Sequence, residues 1–165
     1  MKILPLILTA FPIATSLSII SPVQAESSSS CSSALESVQK ALQKKTIVGI
    51  TPLDLSNTYS DHPKGRKNGY VIQLVVAEDT IVTPTGEILS KEWCRAAEVM
   101  KSTKLQASLA TRVIQSCPRI EAVRFLLGRP RSSNWEKTFG LMGNGKVQPF
   151  TCRRVGQNWG EEFCF

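Results

Sequence analysis

The chain has 165 residues, of which 42% are hydrophobic, and its 20 Lys and Arg against 13 Asp and Glu give a net charge of +7. This length suits one domain with a single core, and the apolar content excludes an intrinsically disordered chain. The basic residues are scattered, without a run of five or more like charges, so the charge indicates solubility more than a specific nucleic-acid site.

The N-terminal residues 1–25 have the features of a secretory signal peptide. Lys2 precedes an apolar stretch, and the small residues Val23 and Ala25 occupy the positions that signal peptidase reads, which predicts cleavage after Ala25. An uncleaved anchor is the alternative, because residues 3–20 are just long enough to span a bilayer. Prolines and serines interrupt that stretch, and no later apolar run is as long. The sequence therefore predicts a secreted or periplasmic protein of 140 residues with a net charge of +6.

The predicted elements begin after a serine-rich linker at 26–32. A capping-box pattern and apolar residues at helical spacing predict a helix over 34–45. A short strand over 46–50 follows, which Pro52 is expected to stop. Residues 53–69 are rich in Asp, Asn, Ser, Pro and Gly and read as a long loop.

The middle of the chain alternates between strand and helix signals. Residues 70–77 are apolar and largely β-branched, which favours a strand central in its sheet and covered on both faces, with a possible extension at 81–82. A turn at 83–86 leads to a predicted helix over 89–100. A second helix over 105–117 is ended by Pro118.

The last third changes to strand periodicity. Apolar residues alternate over 123–127 and again over 135–141, and Gly143-Asn144-Gly145 is a hairpin turn signal. Residues 147–153 return as a third strand, and together these predict an antiparallel meander. Residues 33–165 are thus expected to form one α+β domain, with three helices packed on an antiparallel or mixed sheet of about four to five strands.

All five cysteines lie after the predicted cut, so they would enter an oxidising compartment where disulfides persist. None has C-x-x-C spacing, and no metal site is predicted. Cys117 opens the meander and Cys152 closes it, which favours a bridge between these two. Pairing of Cys31 or Cys94 with Cys164 stays open, and an odd number leaves one thiol over.

His62 is the only histidine, in the stretch YSDHPKGRKNG. Asp61 beside it could complete part of a hydrolase site, but the sequence has no G-x-S-x-G motif, and adjacent side chains usually diverge. Asp-His-Pro is also good turn chemistry. We therefore expect a solvated turn and predict no catalytic residue. Phosphate-binding glycine motifs are absent from the sequence, so no cofactor is predicted either.

Basic residues of the last third form a candidate surface for an anionic ligand, in which Trp135 and Trp159 could add stacking. Its members are Arg124, Arg129, Arg131, Arg153 and Arg154. The alternative is that Trp135 belongs to the core and the arginines form a solvated rim.

The pattern Cys117-Pro118, an alternating strand to Phe125, Phe139-Gly140-Leu141 and a final Cys152 resembles small exported proteins of cyanobacteria with no assigned function. The resemblance covers residues 105–152 and implies a periplasmic or extracellular site, without implying a ligand or catalytic residues. The leading hypothesis is a secreted, disulfide-stabilised, non-enzymatic module that binds an unidentified partner in the cell envelope or outside it. The alternative is a secreted hydrolase that uses His62 or a pair of carboxylates. A binder of an anionic cell-envelope polymer is a third hypothesis.

Overall fold

The computed structural model describes residues 23–59, 61–76, 80–83, 86–129, 132–153 and 158–163. Within these ranges the protein is an α+β domain with three α-helices and a mixed five-stranded sheet. The helices are α1 (Val23–Gln43), α2 (Lys91–Lys101) and α3 (Thr103–Ser116). The strands are β1 (Ile47–Asp54), β2 (Asn68–Val75), β3 (Thr80–Thr83), β4 (Gly86–Leu89), β5 (Ile120–Arg129), β6 (Ser132–Leu141), β7 (Val147–Pro149), β8 (Thr151–Arg153) and β9 (Glu161–Phe163).

The main sheet has the order β1-β2-β5-β6-β7. Strands β2 and β5 are parallel, and the chain between them carries both α2 and α3, as a parallel crossover requires. All other neighbours are antiparallel, so β5, β6 and β7 form the predicted meander in part. Its third strand, predicted over 147–153, ends at Pro149, and Thr151–Arg153 pairs with β9 in a separate sheet. Two small sheets, β3-β4 and β8-β9, lie outside the main sheet.

The helices cover one face of the sheet and bury most of the core. Apolar residues of α1, α2 and α3 pack there against alternate residues of the strands, such as Ile72, Phe125 and Phe139, all fully buried. Trp135 packs against this same core, in agreement with the second of the two predictions made for it. This helix-side core orients the sheet, because every second strand residue must then point to the opposite face.

The opposite face carries a smaller second core, formed by buried Leu55, Tyr59, Ala122 and Phe150 with Leu53, Met142 and Trp159 at its margin. Its residues come from the segment after β1, from the sheet itself and from the C-terminal part of the chain. The sheet is therefore covered on both sides, by helices on one and by irregular chain on the other.

Other predicted boundaries were wrong as well, and residues 81–82 belong to the separate β3-β4 hairpin instead of extending β2. Residues 26–32 belong to α1 instead of forming a linker, and Leu89 ends β4 instead of opening α2. β1 continues through Pro52 to Asp54, because β1 is an edge strand, where a missing N–H breaks no ladder. β2 is central as predicted, but Gln73 and Val75 are exposed, so β2 is not covered throughout on both faces.

The predicted Cys117–Cys152 bridge was also wrong. Cys117 is bonded to Cys31, which joins α1 to the end of α3 across 86 residues of sequence. The Ser30 hydroxyl donates a hydrogen bond to the Ser116 carbonyl beside this bridge at 3.1 Å. Cys152 is disulfide-bonded too, Cys94 is free and exposed, and Cys164 lies outside the described residues.

No helix in the described ranges has both the length and the apolar character needed to cross a membrane. The predicted cut after Ala25 falls inside the first turns of α1, and residues 1–22 lie outside the described residues.

Candidate functional site

A β-bulge at the start of β5 places an acidic side chain inside the protein. Asn68 pairs with Ile120 and Gly69 with Ala122, which leaves Glu121 as an extra residue between them. A bulge turns its extra side chain away from the regular alternation. Glu121 is fully buried as a result, and the Gly69 backbone approaches so closely that an added Cβ would lie 2.8 Å from the Ala122 carbonyl oxygen.

His62 meets this buried carboxylate. Its Nδ1 atom forms a hydrogen bond with Glu121 Oε1, and only 6% of the His62 side chain is exposed. The turn was predicted correctly, since His62 directly precedes the 3-10 helix Pro63–Gly65, but the prediction that His62 is solvated was wrong. Arg66 holds the segment in place, because its guanidinium donates to the Ile120 carbonyl at 3.1 Å beside the bulge.

Two polar atoms of this pair lack a hydrogen-bond partner among the described residues. They are His62 Nε2 and Glu121 Oε2, and both are inaccessible to solvent. A buried polar atom without a partner costs about 1–3 kcal/mol of stability. An ionised Glu121 fixes the proton on Nδ1 and leaves Nε2 as a potential proton acceptor. Burying these two atoms therefore lowers the stability of the fold. The carboxylate on Nδ1 and the unprotonated Nε2 are also the arrangement of a histidine that acts as a general base.

Aromatic side chains close the site. Trp159 lies 5.5 Å from the His62 ring and 5.2 Å from the Tyr59 ring, measured between centroids. Tyr59 and Phe150 contact each other edge to face at 5.5 Å. Such contacts stabilise beyond the area that they bury, so these rings form a cohesive cover over the imidazole.

We call residues 158–163 the C-terminal strap. The Trp159 backbone N–H donates to Asp61 Oδ1 at 2.8 Å, and its indole N–H donates to the Leu141 carbonyl at 2.9 Å. Glu162 accepts a hydrogen bond from the Thr138 backbone N–H at 3.0 Å. The strap is thus held to the His62 segment at one end and to β6 at the other.

Gly140 allows the strap to approach the sheet. A Cβ atom at this position would lie 2.3 Å from Phe150 Cε1 and 2.8 Å from Trp159 Cζ2, distances that real side chains do not adopt. The absence of a side chain on Gly140 therefore lets both rings lie directly on β6.

Burial dominates the electrostatics of the site. It raises the pKa of Glu121, against the opposing effects of the hydrogen bond and charge of His62 and of the nearby Arg66. Burial likewise raises the pKa of Glu162, although the hydrogen bonds from Thr138 oppose it. The pKa of Tyr59 is raised by burial as well, while Arg124 opposes the rise. Each of these groups therefore favours its neutral form more than it would in water.

The predicted arginine surface is only partly described. Arg124 lies on the second face with one nitrogen 3.9 Å from Glu136, and Arg153 lies 3.3 Å from Glu161. Arg131 and Arg154 lie outside the described residues, as does the side chain of Arg129. The two members of this predicted surface whose side chains are described, Arg124 and Arg153, each lie near a glutamate. Trp159, which was expected beside them, belongs to the His62 site.

Sequence reasoning missed Glu121, and it placed Trp159 with the arginine surface instead of with His62. The sequence did contain one indication of Glu121. It lies two residues before Val123 and four before Phe125, so regular alternation along β5 would place an acidic side chain on the same face as these core residues. That conflict marks a bulge or a functional acid. Trp159 had no such signal, because a single aromatic near the C-terminus has no periodic context.

The described residues contain no group of three or more His, Cys, Asp or Glu side chains arranged to hold a metal ion. No family model matches this chain, and comparisons with curated proteins and with solved structures found no significant match.

Proposed function

We propose that this chain is exported to the periplasm or the extracellular space and acts there as a disulfide-stabilised, non-enzymatic binding module. The Cys31–Cys117 bridge is the observation that carries the proposal, because such bridges form and persist in oxidising compartments. The disulfide at Cys152 and the signal-peptide pattern of residues 1–25 support it. The resemblance to small exported cyanobacterial proteins points to the same compartment.

Export is tested by fusing residues 1–25 to alkaline phosphatase, an enzyme that becomes active only after export allows its own disulfides to form. We expect activity outside the cytoplasm and cleavage after Ala25. A matched fusion with Leu8→Arg, which places a charge in the apolar stretch, should remain inactive. Equal activity of the two fusions would contradict the proposal.

The proposed partner is an anionic polymer of the cell envelope, which the cleaved chain of net charge +6 would attract. Retention on heparin and cosedimentation with peptidoglycan test this. Binding should weaken steeply as salt rises from about 0.05 to 0.3 M, because added ions screen the attraction. Absence of retention at low salt would remove this partner.

The second candidate function is a hydrolase, favoured by the contact between the His62 imidazole and the Glu121 carboxylate. In that case His62 Nε2 is the general base and Glu121 is a positioning residue. Hydrolysis of p-nitrophenyl acetate by the protein and by His62→Ala tests it. A loss of about 100-fold in the variant supports a hydrolase, and equal rates exclude it.

A further inference from the structure

The strap covers the only histidine of the chain, so the protonation of His62 and the position of the strap depend on each other. Trp159 contacts the imidazole directly and its N–H groups donate to Asp61 and Leu141. The rest of the strap is held by Thr138, which donates to Glu162, and by the pairing of β9 with β8. With Trp159 in place, only 6% of the His62 side chain reaches solvent.

The buried pair tolerates one proton but not two. With a single shared proton, the pair is either a neutral imidazole with a carboxylic acid or an imidazolium with its carboxylate. A second proton leaves an imidazolium beside a neutral carboxylic acid, which is a buried charge without a counter-ion. Such a charge is strongly unfavourable away from water.

Among the contacts described for the imidazole, which are with Glu121, Tyr59 and Trp159, Glu121 supplies the one acid. Arg66 and Arg124 have the same sign as the imidazolium. Asp61 is exposed and already accepts the Trp159 backbone N–H. The titratable and charged groups described next to the pair are Tyr59, Asp61 and Arg66 of the segment after β1. Arg124 of β5 and Glu162 of the strap lie near Tyr59, and Glu136 of β6 lies beside Arg124.

We propose that the C-terminal strap is an acid-responsive cover: a second proton on the His62–Glu121 pair displaces Trp159 and uncovers the aromatic face below it. Displacement brings water to the imidazolium, which removes the cost of burying it. The open form then presents the Tyr59 and Phe150 rings beside a positive charge, a surface that the closed form lacks. Because burial raises the pKa of Glu121, this carboxyl becomes neutral at a higher pH than an exposed glutamate.

The single histidine makes the test direct. In an ¹⁵N NMR titration of the oxidised protein from pH 7.5 to 4, one pair of imidazole nitrogens reports His62, and the Trp159→Phe variant assigns the Trp159 indole signal. We expect both signals to move with the same midpoint. Above that midpoint, hydrogen exchange of the Trp159 indole, measured relative to the buried Trp93 indole, should rise about tenfold for each unit by which the pH falls, as coupling to one proton requires, and below the midpoint it should level off.

Three variants identify the responsible group. His62→Gln cannot take up a proton and should keep the strap closed over the whole range. Asp61→Asn and Glu162→Gln retain a hydrogen-bond acceptor for Trp159 and Thr138 but cannot titrate, and both should open as the wild type does. Opening that persists in His62→Gln, or that is lost in Asp61→Asn, overturns the proposal.

If His62→Gln does not fold, the wild-type titration alone decides. An imidazole that titrates while the Trp159 indole keeps its shift and its exchange rate refutes the acid-responsive cover. This outcome is independent of export and of any ligand, so it leaves the proposed function untouched.

Discussion

Removing the Cys31–Cys117 bridge by a Cys31→Ala/Cys117→Ala double substitution should strongly destabilise the protein. The bridge closes a loop of 86 residues, and in the chain-entropy model the loss of such a constraint on the unfolded chain costs about 4.5 kcal/mol at 25 °C. Alanine is the replacement because Cys117 is buried among apolar side chains, where a serine hydroxyl would need a partner.

Urea unfolding followed by circular dichroism measures this cost. For a small domain with a slope of about 1–3 kcal/mol per M, the expected loss lowers the midpoint by roughly 1.5–4.5 M. Cys94→Ala is the matched control, because Cys94 is free and exposed, and it should change the free energy of unfolding by less than about 0.5 kcal/mol. A loss below about 1 kcal/mol in the double variant would refute the loop-closure reasoning.

Three further outcomes follow from the second face and its margin. Gly140→Ala should lower the free energy of unfolding by about 1–3 kcal/mol, because the added Cβ overlaps the Phe150 and Trp159 rings. Gly143→Ala, where the space is open, should change it little in urea unfolding. Equal effects of the two substitutions would contradict this packing. Burial raises the pKa of Tyr59 above 10.0, so stability is lost as pH rises through that raised pKa. Tyr59→Phe should therefore lose less stability than the wild type between about pH 9 and 11, and parallel curves would count against a buried phenol. Glu161→Gln removes the negative charge 3.3 Å from Arg153 and should delay elution from heparin. Unchanged elution would exclude Arg153 from the surface that binds an anionic ligand.

The elements with strong periodicity were predictable from sequence. α3 and the meander were predicted because their apolar residues recur at intervals of three to four residues in the helix and of two in the strands. These apolar residues lie on one face of each element, and that face packs in the helix-side core. α1 was found only in its apolar half. Its serine-rich start is helical despite the modest helix propensity of serine, and contacts distant in sequence, the Cys31–Cys117 bridge and the Ser30–Ser116 hydrogen bond, hold it against α3.

The candidate site was not predictable in the same way. Glu121 and His62 are 59 residues apart, and they meet only because β2 and β5 are parallel neighbours and a bulge turns Glu121 toward the second face. Composition around His62 indicates a turn, which is present, but it carries no information on what covers that turn. The disulfide pairing failed for a similar reason, since a meander was assumed to bring its two ends together while α1 supplied the partner of Cys117.

The most direct test of the proposed export and bridging is the intact mass of the protein recovered from the exporting cell, before and after reduction and alkylation. We predict a chain that begins at Glu26. Without reduction, one thiol, that of Cys94, should be alkylated; after reduction, all five cysteines should be alkylated. A chain that retains the apolar N-terminal stretch, or that has five alkylatable thiols before reduction, would contradict an exported, disulfide-stabilised module.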